Sequence, residues 1–286
     1  MYNKYFDRWE FTKAISAVYD DPIEAKRLLE NYMDKYPSDY SAVCYYIYDL
    51  VILGYIEEAN YYYNKMDSLI NNGFIYSDDE EKLSYIKKGL VLNKLRLLAR
   101  DSAYEEFYAF CIRNSNIIDG FDYSKVLFHC RSRLGLVDNS KPYSSYLKRQ
   151  VTNYSEQDFL SHIKRHTADY NMNLSTPNPS VFASDFPILK VIEEVKKNIP
   201  SDKGLGYGFF DDTYYFKYDD CGREKGKLVD YFKVVCFHDT FDLITMRPTD
   251  ECEKYPFTDL NYLIDDNKPK VKTISQIEKF NKKYRR

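Results

Sequence analysis

Two hydrophobic periods divide this chain. Up to about residue 135, apolar positions recur every three or four residues, the spacing of one helical face; from Gly204 they alternate with polar ones, the spacing of a strand. In the first part Asp21 and Pro22 mark a helix start, with Ala25, Leu28, Leu29 and Tyr32 on one face. Pro37 to Tyr40 interrupts it. A second helix is expected over 41–53, turning Val43, Tyr46, Ile47 and Leu50 inward, and Gly54 suits its C-terminus. Further helices are expected from Ile56, over Glu80–Arg100, from Tyr104, and over 123–134 up to Gly135.

Ile56-Glu-Glu-Ala59 echoes Ile23-Glu24-Ala25, and Ala25 and Ala59 stand 34 residues apart. That period, a small Ala where helices pack closely, and Leu53-Gly-Tyr55 before the acidic-Ala step resemble the tetratricopeptide repeat over about residues 20–70. The resemblance implies a superhelix of helix pairs with a concave face for a protein partner. A non-repetitive helical bundle is the alternative.

The second part begins with a polar, turn-rich stretch, Val137 to Ser145, and a short helix over 146–154. Ser155-Glu-Gln-Asp158 has the form of a capping box, ahead of a helix carrying Phe159, Leu160 and Ile163 and running to Tyr170. Thr176-Pro-Asn-Pro-Ser180 ends it, and 186–199 reads as another amphipathic helix. Tyr214, Phe216 and Tyr218 then alternate with polar neighbours, and Asp219-Asp-Cys-Gly222 and Lys225-Gly226 supply turn residues. A strand over 230–237 places Phe232, Val234 and Cys236 on one face. His238-Asp239-Thr240 turns the chain, and a return strand over 241–247 stops at Pro248. It carries Thr245 and Arg247 on one face together with Leu243 and Phe241.

The expected fold class is α+β. An all-α, repeat-like domain spans 1–135 and a linker with a connecting helix 136–154. A small α+β domain with an antiparallel sheet spans 155–262, and a basic tail 263–286.

Composition narrows the function. Net charge is −3 over 286 residues, −2 over 1–150 and −1 over 151–286, so any nucleic-acid site must be a local arrangement. The helical half is for the same reason expected to bind protein rather than a polyanion. Thirty tyrosines provide large groups with polar tips, suited to repeat packing and to binding surfaces. Six cysteines show no ligand spacing, the first residues contain no apolar signal core, and no stretch has membrane-spanning length; a cytoplasmic protein with reduced thiols and no membrane partner is expected.

The chemistry-bearing residues concentrate in the second half. His162 and His166 lie four apart on the helix from Ser155, with Asp169 on the same flank and Lys164 and Arg165 beside them. One imidazole can abstract a ribose 2′-hydroxyl proton while a second group protonates the leaving 5′-oxygen. Lys164, Arg165 or Arg247 can offset charge building on the phosphoryl oxygens. Thr245 and Arg247, two apart on a strand, can bind one phosphate between them, and Lys217 and Tyr215 extend that surface. Tyr170 is a further substrate-binding candidate. The bland reading makes the histidines surface residues of a basic helix and the strand positions a half-solvated sheet face. A zinc helix of the metalloprotease type needs Glu after its first His, where this chain has Ile163, so no metal and no cofactor is expected. Gly204-Leu-Gly-Tyr-Gly208 is a flexible turn and not a phosphate loop.

A histidine-bearing helix ahead of Tyr231-Phe-Lys-Val-Val235, the His238-Asp239-Thr240 turn and Ile244-Thr245-Met246-Arg247-Pro248 resembles the toxin ribonucleases of the barnase, EndoU, colicin and RelE superfamily. The resemblance covers about residues 155–260. It implies metal-independent RNA cleavage, with His162, His166, Thr245 and Arg247 at the active site. No secretion module accompanies it, and the repeat-like half takes the place of a delivery domain. An intracellular toxin–antitoxin or phage-defence effector, with a protein regulator on the helical half, is what this combination implies. A non-enzymatic adaptor and an RNA-binding protein using tyrosines for stacking are the competing readings.

Overall fold

The computed structural model describes residues 4–75, 80–118, 121–138, 140–150, 154–171, 178–199, 204–250 and 255–264. Cys252, Thr176 and the basic tail from residue 265 lie outside the described residues, as does the side chain of Asp169. The chain is α+β. Helices α1 (Lys4–Asp20), α2 (Pro22–Lys35), α3 (Tyr40–Ile52), α4 (Ile56–Asn71), α5 (Glu80–Arg100), α6 (Tyr104–Arg113) and α7 (Phe121–Arg133) come first. Their starts and stops follow local chemistry. The Asp21 side chain accepts from the Glu24 amide ahead of Pro22, and Asp39 accepts from Ser41. Gly54 and Gly135, at φ of 79° and 71°, adopt the left-handed conformation that closes a helix. Ala25 and Ala59 are both fully buried at helix contacts, and α3 supplies the centre of the core with Ile47, Leu50 and Ile52.

Short helices α8 (Ser145–Lys148), α9 (Glu156–Ile163) and α10 (Ala168–Asn171) lead to β1 (Ser180–Phe182) and α11 (Ile188–Asn198). Strands β2 (Asp211–Glu224), β3 (Lys227–Phe237) and β4 (Leu243–Thr249) follow, and β5 (Phe257–Asp259) closes the sheet. The order is β1-β2-β3-β4, antiparallel throughout, with β5 added parallel to β2. One face carries Phe216, Phe232, Val234 and Met246 and is covered by Phe159 and Ile163 of α9 and Val191, Ile192 and Val195 of α11. The opposite face turns toward the helices. Leu205, Tyr215 and Tyr255 belong to the same core as α2, α3 and α4, and Phe210 joins that of α5, α6 and α7. Packing is therefore continuous across the polar stretch at 137–145.

Several local expectations are corrected. The helix from Ser155 does not run to Tyr170. It ends at Ile163, passes through a 3₁₀ turn at Lys164–His166, and Thr167 becomes extended to bridge Phe182. Asp219 to Gly222 is an irregularity inside β2 with Asp220 at φ 56°, and the hairpin reverses only at Lys225-Gly226, both at positive φ. Pro248 does not stop the last strand. It lies on β4, opposite Phe232 of β3, on an edge strand where a missing N–H is tolerated. Leu243 does not share a face with Thr245. Cys236 pairs with Leu243 and Val235 with Thr245, so Ile244 is an extra residue that reverses the alternation. Strands β1 and β5, three residues each, have no counterpart in the periodicity.

Candidate functional site

The bulge at Ile244 is what aims the candidate strand residues. It leaves Leu243 in the core and sends Thr245 and Arg247 to the opposite face, beside Val235 and Lys233 of β3. On the other side, the capping box at Ser155 starts α9: Ser155 Oγ accepts from the Asp158 amide and Asp158 accepts from the Ser155 amide. Burial of Phe159 and Ile163 then fixes the rotation of α9, with His162 on its flank toward β4. His162 Nε2 lies 2.9 Å from Thr245 Oγ1.

His166 arrives by a different route. The 3₁₀ turn is tied down by Asn171, whose Nδ2 donates to the carbonyls of Arg165 and Thr167, each at 2.8 Å. This brings the two imidazole centroids to 5.4 Å. His166 Nδ1 is 3.0 Å from the Ser180 carbonyl of β1. A carbonyl only accepts, so Nδ1 carries the hydrogen, and in the neutral ring Nε2 is the basic nitrogen.

Both histidines, Thr245 and Arg247 line one cleft of about 860 Å³, together with Arg149, Lys233 and Val235. Its remaining lining comes from β2 (Thr213, Tyr215), from Asp250 after β4, from Tyr207 and Tyr255, and from Tyr19 and Asp20 at the end of α1. Arg149 follows α8, which is anchored to α9 by Lys148 and Asp158 at 2.6 Å. Burial, and then the charges of Arg149, His166 and Arg165, push His162 down to about 4. His166 is also lowered, chiefly by burial; the Ser180 carbonyl opposes this and Arg247 adds to it. Both rings are thus neutral near pH 7 in the free protein.

The four candidate catalytic residues are together, whereas the four candidate substrate-binding residues do not line the cleft. Lys164 and Arg165 are exposed on the 3₁₀ turn, and the charge of Arg165 is felt at His162. Tyr170 is 46% exposed on α10. Lys217 lies one row beyond the cleft and is paired with Asp219 at 3.7 Å. Besides Arg247, two further cations line it, Arg149 and Lys233, neither of them among the residues expected from the sequence. Lys233 had a local signal, a lone lysine amid the apolar alternation of its strand; Arg149 had none. His238 is not a bare turn residue, since its Nδ1 is 2.6 Å from Asp212.

Among the described residues, no three His, Cys, Asp or Glu side chains converge as a metal would require, and no helix is long and apolar enough to cross a membrane. Cys44, Cys111, Cys130, Cys221 and Cys236 are buried. Comparison with known protein families, with curated proteins and with solved structures finds no match.

Proposed function

We propose that this chain is an endoribonuclease of the metal-independent toxin type, cleaving RNA by transesterification in the cleft between α9 and the sheet. One observation carries the reading: His162 meets Thr245 at 2.9 Å in a cleft that His166 and Arg247 also line. In the proposed reaction His166 Nε2 takes the proton of a ribose 2′-hydroxyl. The 2′-oxygen attacks the adjacent phosphorus, the bond from phosphorus to the 5′-oxygen breaks, and His162 in its protonated form gives that oxygen a proton. The products are a 2′,3′-cyclic phosphate and a 5′-hydroxyl. Arg247 and Lys233 offset charge on the phosphoryl oxygens, and Thr245 orients the phosphate. A bound phosphodiester anion favours the imidazolium that His162 needs, since opposite charge stabilises the protonated ring.

The setting implied is a cytoplasmic toxin–antitoxin or phage-defence effector whose repeat-like helices receive a protein regulator. Trp9 of α1 and Tyr61 of α4, 66% and 62% exposed, give those helices aromatic surface of the kind partner faces use. A second reading, RNA binding without cleavage, is favoured by the low pKa of His162, which leaves the free site without an imidazole acid at neutral pH.

Cleavage of mixed cellular RNA separates the two. His162→Ala, His166→Ala or Arg247→Ala is expected to lower the rate by about 10²–10⁴-fold with the fold retained, and EDTA to leave it unchanged. RNA left intact by the wild-type protein, or full activity in the double histidine variant, overturns the ribonuclease reading.

A further inference from the structure

The cleft has two ends of different chemistry. Because β2, β3 and β4 lie side by side, its floor is built of cross-strand rows: Thr213–Val235–Thr245 and Tyr215–Lys233–Arg247. The imidazoles stand at the β4 end, where His162 touches Thr245. Crossing from β4 to β2 covers about 10 Å, two strand spacings. There the lining becomes aromatic. Tyr215 stacks on Tyr255 with centroids 4.7 Å apart and planes 19° from parallel. Tyr207 Oη is 3.3 Å from Tyr255 Oη, and the Tyr255 hydroxyl donates to the Asp20 carbonyl at the α1–α2 corner. Tyr19, next to Asp20, also lines the cleft and is 57% exposed.

A phosphate has no use for this second end. Beyond Lys233, which pairs with Tyr215, its rings are neutral, and Tyr19, Tyr207, Tyr255 and Asp20 bring no cation to it. A nucleobase does have a use for it, because every base offers a π-face to an aromatic side chain. A base reaches a wall that begins about two strand spacings from the imidazole end only when it is splayed out of a helix, which single strands permit and duplexes resist.

We infer that the tyrosine end is a base subsite: the cleft takes single-stranded RNA, and a base next to the scissile phosphate stacks on Tyr19, at the corner of the helical half. The helical half is then part of the substrate site as well as a scaffold, and Tyr19 is a substrate-binding residue that favours unpaired bases without choosing among them. The inference rests on the ribonuclease reading for the position of the phosphate, but its test does not depend on cleavage alone.

The test uses the full chain and one labelled oligoribonucleotide in three forms: single-stranded, annealed to its complement, and carrying an abasic ribose walked across the cleaved bond. One abasic position is expected to lower kcat/KM about five- to 150-fold, the range of base–aromatic stacking, mostly through KM. The duplex should be cut more slowly than the single strand. Tyr19→Ala, at an exposed position that a fold tolerates, should lower kcat/KM on the intact strand and shrink its advantage over the abasic one. Equal cleavage of intact and abasic strands, or of duplex and single strand, overturns the base subsite while the ribonuclease reading stands. If nothing is cut, the ribonuclease reading falls, and the subsite is judged by fluorescence anisotropy with the same strands. Binding that ignores both the abasic position and Tyr19→Ala overturns it.

Discussion

Arg100, the last residue of α5, ties the helices to the sheet and offers a sharp test of how the two halves hold together. Its guanidinium is ion-paired with Asp212 at the start of β2, with the side chains only 5% and 2% exposed. It also donates to the carbonyls of Gly208 and Asp211, each at 3.2 Å. The other oxygen of Asp212 accepts from His238 Nδ1 at 2.6 Å. Since that nitrogen then carries its hydrogen toward the carboxylate, the 3.1 Å approach of Arg100 to the same atom is a contact across a shared anion and not a second hydrogen bond. Burial raises the Asp212 pKa, but His238 and Arg100 outweigh it and hold the carboxyl below its ordinary value.

Arg100→Met keeps the apolar stem and deletes the charge, leaving a buried carboxylate with one imidazole partner and two carbonyls short of a donor. Removing one member of a buried pair costs roughly 3–5 kcal/mol. His238 remains, so the lower half of that range is expected, about 3–4 kcal/mol. Asp212→Asn should cost about 2–4 kcal/mol by stranding the guanidinium in turn. The double variant should fall short of the sum by at least about 1 kcal/mol, because each change removes the partner that the other strands. Urea unfolding followed by far-ultraviolet circular dichroism and by the tyrosine near-ultraviolet signal measures all four proteins. A loss under about 1 kcal/mol in Arg100→Met, or strict additivity in the double variant, refutes the account. Wild-type transitions that coincide by both probes are expected from the shared cores.

Two further outcomes follow from the site. With His162 at about 4 and His166 below its ordinary value of 6.5, the base is deprotonated at lower pH than usual while the protonated acid grows scarce above about 4. The kcat/KM profile should therefore be bell-shaped with its maximum on the acid side of 6.5, and the kcat profile, which reports the anion-bound state, should lie to its alkaline side. A kcat/KM still rising above about pH 7 contradicts these shifts. Gly222→Ala places a methyl against the Val181 carbonyl and 2.9 Å from Phe182 Cα, so β1 must shift away from β2. A stability loss of about 1–3 kcal/mol is expected. A fall in cleavage larger than the unfolded fraction explains should accompany it, because Ser180 of β1 sets the His166 tautomer. Unchanged melting and activity would show that β1 is not held this way.

Features carried by neighbouring residues were legible in the sequence. Asp21-Pro22, Gly54, the 34-residue recurrence of Ala25 and Ala59, and the Ser155–Asp158 capping box each act within a few residues or one helix pair, so local spacing records them. The alternation of Tyr214, Phe216 and Tyr218 likewise announced a strand with one buried face. His162, His166, Thr245 and Arg247 stood out in the sequence as chemically distinct residues, but that they line one cleft was decided by packing. Other features were settled only by packing. Whether Thr245 faces the cleft or the core depends on one extra residue, Ile244, and the bulge leaves no mark in the apolar pattern. The 3₁₀ turn at His166 exists because Thr167 bridges Phe182, a partner brought close by the sheet. Tyr19 and Asp20 reach the cleft through Tyr255, 235 residues along the chain from Asp20. A contact of that span depends on how α1 and the sheet pack against a common core, and a residue's own neighbours carry no information about which distant surface will meet it.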